Sequence, residues 1–181
     1  LPESALAKVE AITRDGEVLS VKPFKAIRAA IVLTGDQSSR ERVEGTFVPA
    51  IRSRVEELGG KVVSISYVAE DESEIATALI EAARNSDCIF LAGETSIMDA
   101  DDITPRGIKR AGGKIELYGA PIEPGNLLLL AYRDGIPIIG APGCVKSRDT
   151  NVVDLILPRL MAGERVTRAD IIELANGGLL I

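Results

Sequence analysis

Two kinds of hydrophobic pattern alternate along this chain. Short runs of branched apolar residues predict buried strands at 26–33, 61–68, 87–92 and 136–139. Between and after these runs, apolar residues recur at helical spacing and predict helices at 40–58, 70–85, 151–161 and 168–175. The first of these helices is followed by Gly59-Gly60, where a helix normally ends. Strands and helices therefore alternate, which is typical of an α/β protein.

The remaining segments complete the predicted elements. At the amino end, 3–13 is expected to form a short helix and 16–23 a short strand. After the third strand, Thr104 is expected to cap a short helix whose first residue is Pro105 and which ends at Gly112-Gly113. A further helix is predicted at 126–133.

This order of elements predicts a three-layer α/β/α fold with a mostly parallel, open sheet. Right-handed crossovers place helices on both faces of such a sheet, and ligands bind beyond the carboxyl ends of its strands. The loops at that edge are predicted at 34–36, 68–71, 93–105 and 140–147. We divide the chain into an amino-terminal preamble (1–25), the α/β domain (26–162) and a helical tail packed on the same domain (163–181).

Composition narrows the range of partners. The 181 residues carry a net charge of −6, contain no basic run and are 3% aromatic without tryptophan, so no nucleic-acid partner is expected. The apolar stretches are too short to cross a membrane and no signal-peptide pattern is visible, so no membrane partner is expected. Cys88 and Cys144 match no zinc or redox spacing, which favours reduced thiols and a cytoplasmic location.

Histidine is absent from the sequence. Nucleophilic systems that pair serine or cysteine with histidine, and zinc sites with histidine ligands, are therefore excluded. The chemistry that remains uses carboxylates, lysine or arginine, hydroxyl groups, backbone amides and hard metal ions. An anionic ligand stays compatible with the acidic chain, because backbone N–H groups at helix amino ends can bind phosphate.

The acidic loop 93–105 is the leading candidate site. Its start, Gly93-Glu94-Thr95-Ser96, can turn several backbone N–H groups toward one anion. Carboxylates then crowd together just before the next helix. These carboxylates are Asp99, Asp101 and Asp102. With Asp36 from the first loop, they are candidate ligands for Mg²⁺, an ion that prefers oxygen ligands and is often bound by carboxylates and substrate phosphates together.

Glycine-containing loops supply the other candidate ligand-binding residues. Glycine lets a backbone approach a ligand closely, whereas the same residues also form ordinary turns, and both interpretations stay open. Cys144, in the last of these loops, is expected to be a bystander. The candidate residues are Thr34, Gly35, Asp36, Pro124, Gly125, Gly140, Pro142, Gly143, Lys146 and Ser147.

Taken in order, these motifs resemble the molybdopterin-binding domain of molybdenum-cofactor biosynthesis proteins. In that family a first strand ends near an Asp, and a glycine loop with Thr or Ser, Asp-x-Thr-Pro, Pro-Gly-x-Pro and Gly-x-Pro-Gly follow. The resemblance covers residues 26–161. Its matching residues are Asp36, Gly93, Thr95-Ser96, Asp102-Ile-Thr-Pro105, Pro124-Gly125 and Gly140-Ala-Pro-Gly143.

The resemblance implies that Gly93, Thr95 and Ser96 hold the terminal phosphate of molybdopterin and that Asp102 is the functional carboxylate. Asp71 falls where adenylylating members place a second acidic residue. A homo-oligomer, either a dimer or a trimer, is implied too, and a catalytic member would use ATP and Mg²⁺. Glu94 departs from the pattern, because the family has glycine at this position of the loop.

Three functions stay open. In the first, the protein binds molybdopterin or its nucleotide form in cofactor assembly, with Mg²⁺-assisted nucleotidyl or molybdate transfer if it is catalytic. Alternatively, it senses or carries the cofactor for a molybdoenzyme without catalysis, which the charge of Glu94 and the atypical tail 151–181 favour. The third interpretation is a nucleotide hydrolase of the competence-damage type.

Overall fold

A six-stranded sheet forms the centre of the molecule. The computed structural model describes residues 3–14, 20–95, 97–175 and 177–180. Its strands are β1 Arg28–Thr34, β2 Lys61–Val68, β3 Cys88–Gly93, β4 Lys114–Tyr118, β5 Leu129–Arg133 and β6 Ile136–Gly140. They lie in the order β2-β1-β3-β6-β5-β4. Neighbours are parallel from β2 to β6, and β5 runs antiparallel to both β6 and β4.

Helices cover both faces of this sheet. They are α2 Arg40–Glu57, α3 Glu72–Ala83, α4 Ile103–Arg110, α5 Val152–Met161 and α6 Arg168–Leu174. A further helix, α1 Glu3–Arg14, adds none of its described residues to the core on either face. Successive residues of β1 point to opposite faces, so Ile31 packs in a core with residues of α2 and α5, while Val32 packs with α3 and α4. The predicted three-layer α/β/α fold with a mostly parallel sheet is confirmed.

The strand register brings several loops to one edge of the sheet. Thr34, the last residue of β1, lies opposite Val68 of β2 and Gly93 of β3. Leu91 of β3 lies opposite Gly140, the last residue of β6. We call this edge, where the parallel strands end, the carboxyl edge; the opposite side, where they begin, is the amino edge.

The predicted helix at 126–133 is wrong, because this segment contains β5. An unbroken apolar run of this length is compatible with a helix or with a strand buried on both faces, and four of the five residues of β5 are buried. The local sequence signal for a strand is the dipeptide Asp134-Gly135. In the structure these two residues have φ angles of 49° and 85°. Two residues with positive φ form the tight turn that joins antiparallel strands, here β5 and β6.

Smaller differences lie near α4 and at the amino end. Pro105 is the third residue of α4 rather than the first, and Asp102 rather than Thr104 precedes the helix. Both positions suit proline, because first-turn N–H groups have no partner within the helix. The predicted strand at 16–23 falls partly outside the described residues, and 20–23 form no strand. None of the helices described is long and apolar enough to span a membrane.

Candidate ligand-binding site

A cleft opens at the carboxyl edge between the loop after β3 and the start of α4. Its volume is about 280 Å³, near the lower end of small-molecule sites, which begin at about 300 Å³. Polar and apolar side chains contribute to its lining in similar measure. The lining residues are Glu70, Thr95, Ile97, Met98, Asp102, Ile103 and Thr104.

Two glycines allow the loops beside this cleft to pack closely. A Cβ atom on Gly93 would collide with the hydroxyl of Thr34, and one on Gly35 would lie 2.5 Å from the hydroxyl of Tyr67. The Glu94 N–H also donates to the Thr34 carbonyl at 2.9 Å. The absence of side chains at Gly35 and Gly93 is therefore needed for packing between loops.

The Glu94 carboxylate binds the polar groups at the start of α2. It accepts hydrogen bonds from the Ser39 hydroxyl, from the Asp36 N–H at 3.3 Å and from the Arg42 guanidinium at 2.6 Å. The Ser39 hydrogen bond above all, with those from Asp36 and Arg42, holds the pKa of Glu94 below its usual range. Glu94 therefore stays ionised and acts as an internal anion.

A second carboxylate contacts the loop that the sequence assigns to phosphate. Glu70 accepts from the Thr95 N–H at 3.3 Å and from the Thr95 hydroxyl at 2.7 Å. Ser96, the other predicted phosphate ligand, lies outside the described residues. Both donor groups of Thr95 thus already hold an oxyanion, which shows that their chemistry suits one.

Asp102 stabilises the loop that precedes α4. Its carboxylate accepts from the Met98 N–H at 2.7 Å and from the Asp99 N–H at 3.0 Å. The side chain also lines the cleft. Asp102 therefore lies where the family resemblance places a functional carboxylate, and it shapes the loop at the same time.

The other predicted magnesium ligands point to separate partners. Asp99 accepts from the Asp101 N–H at 2.8 Å, and the largely exposed Asp101 lies 3.5 Å from the Lys109 ammonium. Across the described ranges, no group of three acidic or cysteine side chains could hold a metal ion. With Asp36 and Asp102, these side chains do not preassemble a magnesium site, and Mg²⁺ binding stays a prediction.

Asp71 is placed at the amino end of α3. It accepts from the Ser73 N–H at 2.8 Å and from the Glu74 N–H at 3.0 Å. Free N–H groups in the first turn of a helix need such an acceptor, and aspartate is among the best at this position. Asp71 is not among the residues that line the cleft.

The later glycine loops divide between the cleft and the core. Gly140 packs near Ile97, which lines the cleft. Gly125 instead packs against Val152 so closely that a Cβ would collide with its side chain. The carbonyl of the neighbouring Pro124 accepts the Val152 N–H at 3.0 Å, so this turn positions the start of α5.

Beyond Gly140 the chain turns toward α2. Pro142 precedes a short 3-10 helix, Gly143–Lys146, and the Lys146 ammonium lies 4.6 Å from the centre of the Phe47 ring. The Ser147 hydroxyl donates to Asp149 at 2.6 Å. These predicted ligand-binding residues have partners within the fold and do not line the cleft.

Several polar residues of this edge were missed by the sequence analysis. The Tyr118 hydroxyl donates to the Ile97 carbonyl at 3.1 Å, and the Tyr67 hydroxyl donates to the Asp36 carbonyl at 2.8 Å. Burial, followed by nearby carboxylates, raises the pKa of both phenols. Glu70 could have been found, because it lies in a loop predicted at the carboxyl edge; Ser39 and Arg42 carry no comparable signal.

Comparison with known proteins agrees with the order of the loops. The family model described as "Probable molybdopterin binding domain" matches residues 30–162. In fold, the chain is similar to the CinA protein of Thermoplasma acidophilum (TM-score 0.58, 18% identity), covering 72% of this chain and 95% of that one. It is also similar to the molybdopterin biosynthesis enzyme MoaB of Thermus thermophilus (TM-score 0.55, 20% identity), covering 76% and 98%.

A longer protein contains a similar domain. The match to the molybdopterin biosynthesis protein MoeA of Pyrococcus horikoshii has a TM-score of 0.51 and 20% identity, and it covers 75% of this chain but 34% of that one. At these identities the solved structures establish the fold, whereas the family model covers most of the chain. The chain belongs to the molybdopterin-binding domain family.

Proposed function

We propose that this protein binds molybdopterin or a molybdopterin nucleotide in the cleft between β3 and α4, in cofactor biosynthesis or handling. One observation carries the proposal. In a chain of this family, the loops at 34–36 and 93–95 and the residue Gly140 meet at one edge of the sheet, beside a cleft. Ligands of open α/β sheets bind at this edge.

The phosphate is proposed to bind donors that now hold carboxylates. One set is the N–H and hydroxyl of Thr95, which lines the cleft. The other set is the Asp36 N–H, the Ser39 hydroxyl and the Arg42 guanidinium, which surround Glu94 beside the cleft and outside its lining. Binding requires Glu70 or Glu94 to turn away, which a glutamate side chain can do by rotation. The pterin rings are proposed to lie against Ile97, Met98 and Ile103, the apolar part of the lining.

Binding without turnover is the form of this function that the site favours. Both sets of anion donors face a carboxylate, and Asp102 is engaged by two N–H groups of its own loop. A nucleotidyl or molybdate transfer that uses ATP and Mg²⁺ is the catalytic alternative. Cytoplasmic location, a dimer or trimer of this chain and a molybdoenzyme as recipient also remain parts of the proposal.

Titration of the purified protein with molybdopterin tests binding. We expect saturable binding in the micromolar range that Thr95→Val weakens by about tenfold, because a ligand phosphate loses one hydroxyl donor. Thr77→Val, which removes an exposed hydroxyl on α3, is the matched control and should bind normally. Absence of binding by the folded protein would overturn the proposal.

Incubation with molybdopterin, ATP and Mg²⁺ separates handling from catalysis. We expect no release of pyrophosphate and no adenylylated pterin. Turnover that disappears in Asp102→Asn, a variant that keeps an acceptor oxygen for the loop, would instead identify a transferase. Nucleotide hydrolysis without pterin binding would favour an enzyme of the competence-damage type.

A further inference from the structure

A second and larger cavity lies at the amino edge, away from the cleft. It has a volume of about 590 Å³, within the range of about 300–1,000 Å³ that is usual for small-molecule sites. The start of β1, the start of β3, the β5–β6 turn and the segment after α5 surround it. Its apolar walls are formed by Ile27, Cys88, Tyr132, Pro137 and Leu160.

Both acidic residues of this cavity have cationic partners. Asp87 accepts two hydrogen bonds from the Arg28 guanidinium, at 2.8 and 3.1 Å. Glu164 lies 2.9 Å from the Lys22 ammonium and 2.9 Å from the Arg159 guanidinium. Neither carboxylate therefore leaves an uncompensated negative charge beside the cavity.

Lys25, which also lines the cavity, differs from these carboxylates in its charged partners. Its backbone N–H donates to the Met161 carbonyl at 2.8 Å, which holds the residue beside the end of α5. Its side chain crosses Gly163 so closely that a Cβ there would collide with the ammonium. Among the residues that the structure describes, no carboxylate lies within ion-pair distance of this ammonium.

Arg165 adds a second cation on the same cavity. Its guanidinium lies 3.9 Å from the centre of the Tyr132 ring and 3.2 Å from Glu116. The Tyr132 hydroxyl donates to the Val166 carbonyl at 2.8 Å, and the ring is largely buried with the Arg165 guanidinium over one face. The cavity thus combines apolar walls and one cation without an ion-pair partner among the described residues, in a chain of net charge −6.

We propose that this cavity binds a small organic anion with an apolar body, such as an aromatic carboxylate or sulfonate. The body would fill the space between Leu160, Pro137 and the Tyr132 ring, where burial of apolar surface is favourable. The anionic group would pair with Lys25, the cation that the described carboxylates leave available. This site does not depend on the cleft at the carboxyl edge or on the proposed pterin function.

Lys25 also has a structural explanation that the experiment must separate. A cation at the carboxyl end of α5 is favourable for that helix, whether or not a ligand binds. A purely structural lysine would change the stability of the protein but would leave binding to this cavity unaltered.

Titration with 1-anilinonaphthalene-8-sulfonate, an aromatic sulfonate that fluoresces in apolar surroundings, tests the proposal. We expect one saturable site, with amide shifts at Ile27, Gly163 and Arg165 in a two-dimensional NMR spectrum. Lys25→Gln should raise its Kd by about three- to fivefold, the effect of one partly screened charge contact. Lys25→Arg should retain binding if the glutamine variant proves unstable.

Lys61→Gln, which removes an exposed lysine at the start of β2, is the matched control and should leave the Kd unchanged. Three outcomes would overturn the proposal: no binding by the folded protein, equal affinity of Lys25→Gln and the control, or amide shifts confined to Leu6 and Val9 of α1. Loss of pterin binding would not affect it, since the two sites lie at opposite edges.

Discussion

At the carboxyl edge, the side chain of Glu94 crosses from the end of β3 to the start of α2. Its carboxylate meets a hydroxyl, a backbone N–H and a guanidinium. A ligand phosphate that binds these donors would have to replace the Glu94 carboxylate, so that one anion is exchanged for another. If the loop binds phosphate as proposed, Glu94 therefore controls how readily it does so.

Glu94→Gln should therefore strengthen binding of molybdopterin. Glutamine keeps an acceptor oxygen for Ser39 but removes the charge that competes with phosphate and frees Arg42 to pair with the ligand. We expect the Kd to fall by roughly tenfold. Calorimetric titration measures the change, with Glu56→Gln at the far end of α2 as control. Unchanged or weaker binding would show that Glu94 does not compete with the ligand.

Among the elements, the β5–β6 hairpin depends on its two-residue turn. Gly135 has a φ of 85°, a conformation that side chains disfavour, yet a Cβ there would meet no neighbouring atom. Gly45, inside α2, has ordinary helical geometry and equally open surroundings. The two glycines thus differ in backbone conformation and not in the space around them.

Alanine substitutions at these two glycines should have opposite effects on stability. Gly135→Ala should lower the free energy of unfolding by about 1–2 kcal/mol, because an L residue is strained in this conformation. Gly45→Ala should raise it by about 0.5–1 kcal/mol, since alanine is the better helix former. Urea denaturation measures both. Equal changes in the free energy of unfolding for the two variants would show that the β5–β6 turn tolerates a side chain at Gly135.

Helix α6 is held by Asp170 at its amino end. The carboxylate accepts from the Thr167 N–H at 2.8 Å and the Thr167 hydroxyl at 2.5 Å, and it lies 2.8 Å from the Arg159 guanidinium. These contacts, the Thr167 hydroxyl first, lower the pKa of Asp170 from 3.8 to about 2.

This lowered pKa predicts a loss of stability in acid. A carboxyl group that binds protons less readily in the folded than in the unfolded state stabilises the fold above the unfolded pKa. That contribution is lost as the pH falls from about 4 to about 2. Asp170→Asn should flatten the pH dependence of unfolding in this window, whereas Asp101→Asn, on an exposed loop, should not. Identical acid profiles for both variants would contradict the assignment.

At the scale of the whole molecule, the buried Arg54 connects three separate elements. It belongs to α2 and lies 2.8 Å from Asp154 of α5. It also donates to the Val145 and Ser147 carbonyls, each at 2.9 Å, at the end of the 3-10 helix. One planar guanidinium thus satisfies acceptors that are far apart in sequence, a task to which the shape of lysine is unsuited.

Arg54→Met should lower the free energy of unfolding by about 3 kcal/mol or more. The variant leaves Asp154 without its cation and two carbonyls without their donor. Arg52→Met, which removes an exposed pair with Glu56 one turn along α2, should cost about 0.5 kcal/mol or less. Chemical denaturation compares the two. Similar costs would show that the buried network contributes little to stability.

Local sequence patterns determine much of this fold. The branched runs of β1, β2, β3 and β6 and the periodic helices α2, α3, α5 and α6 were located to within about two residues, as expected when packing follows local pattern. The order of the loops also identified the family. β5 was assigned as a helix, because an apolar run buried on both faces has no period of its own.

The candidate site was decided by tertiary structure. The sequence alone predicted the acidic loop 93–105 as the candidate site and placed it at the edge where open α/β sheets bind their ligands. Whether Glu94 reaches Ser39 and Arg42, whether Glu70 reaches Thr95 and whether the aspartates converge depend on distances between separate elements. A side-chain pattern determines where strands and helices form, because burial and backbone geometry act locally; only packing determines which charges meet.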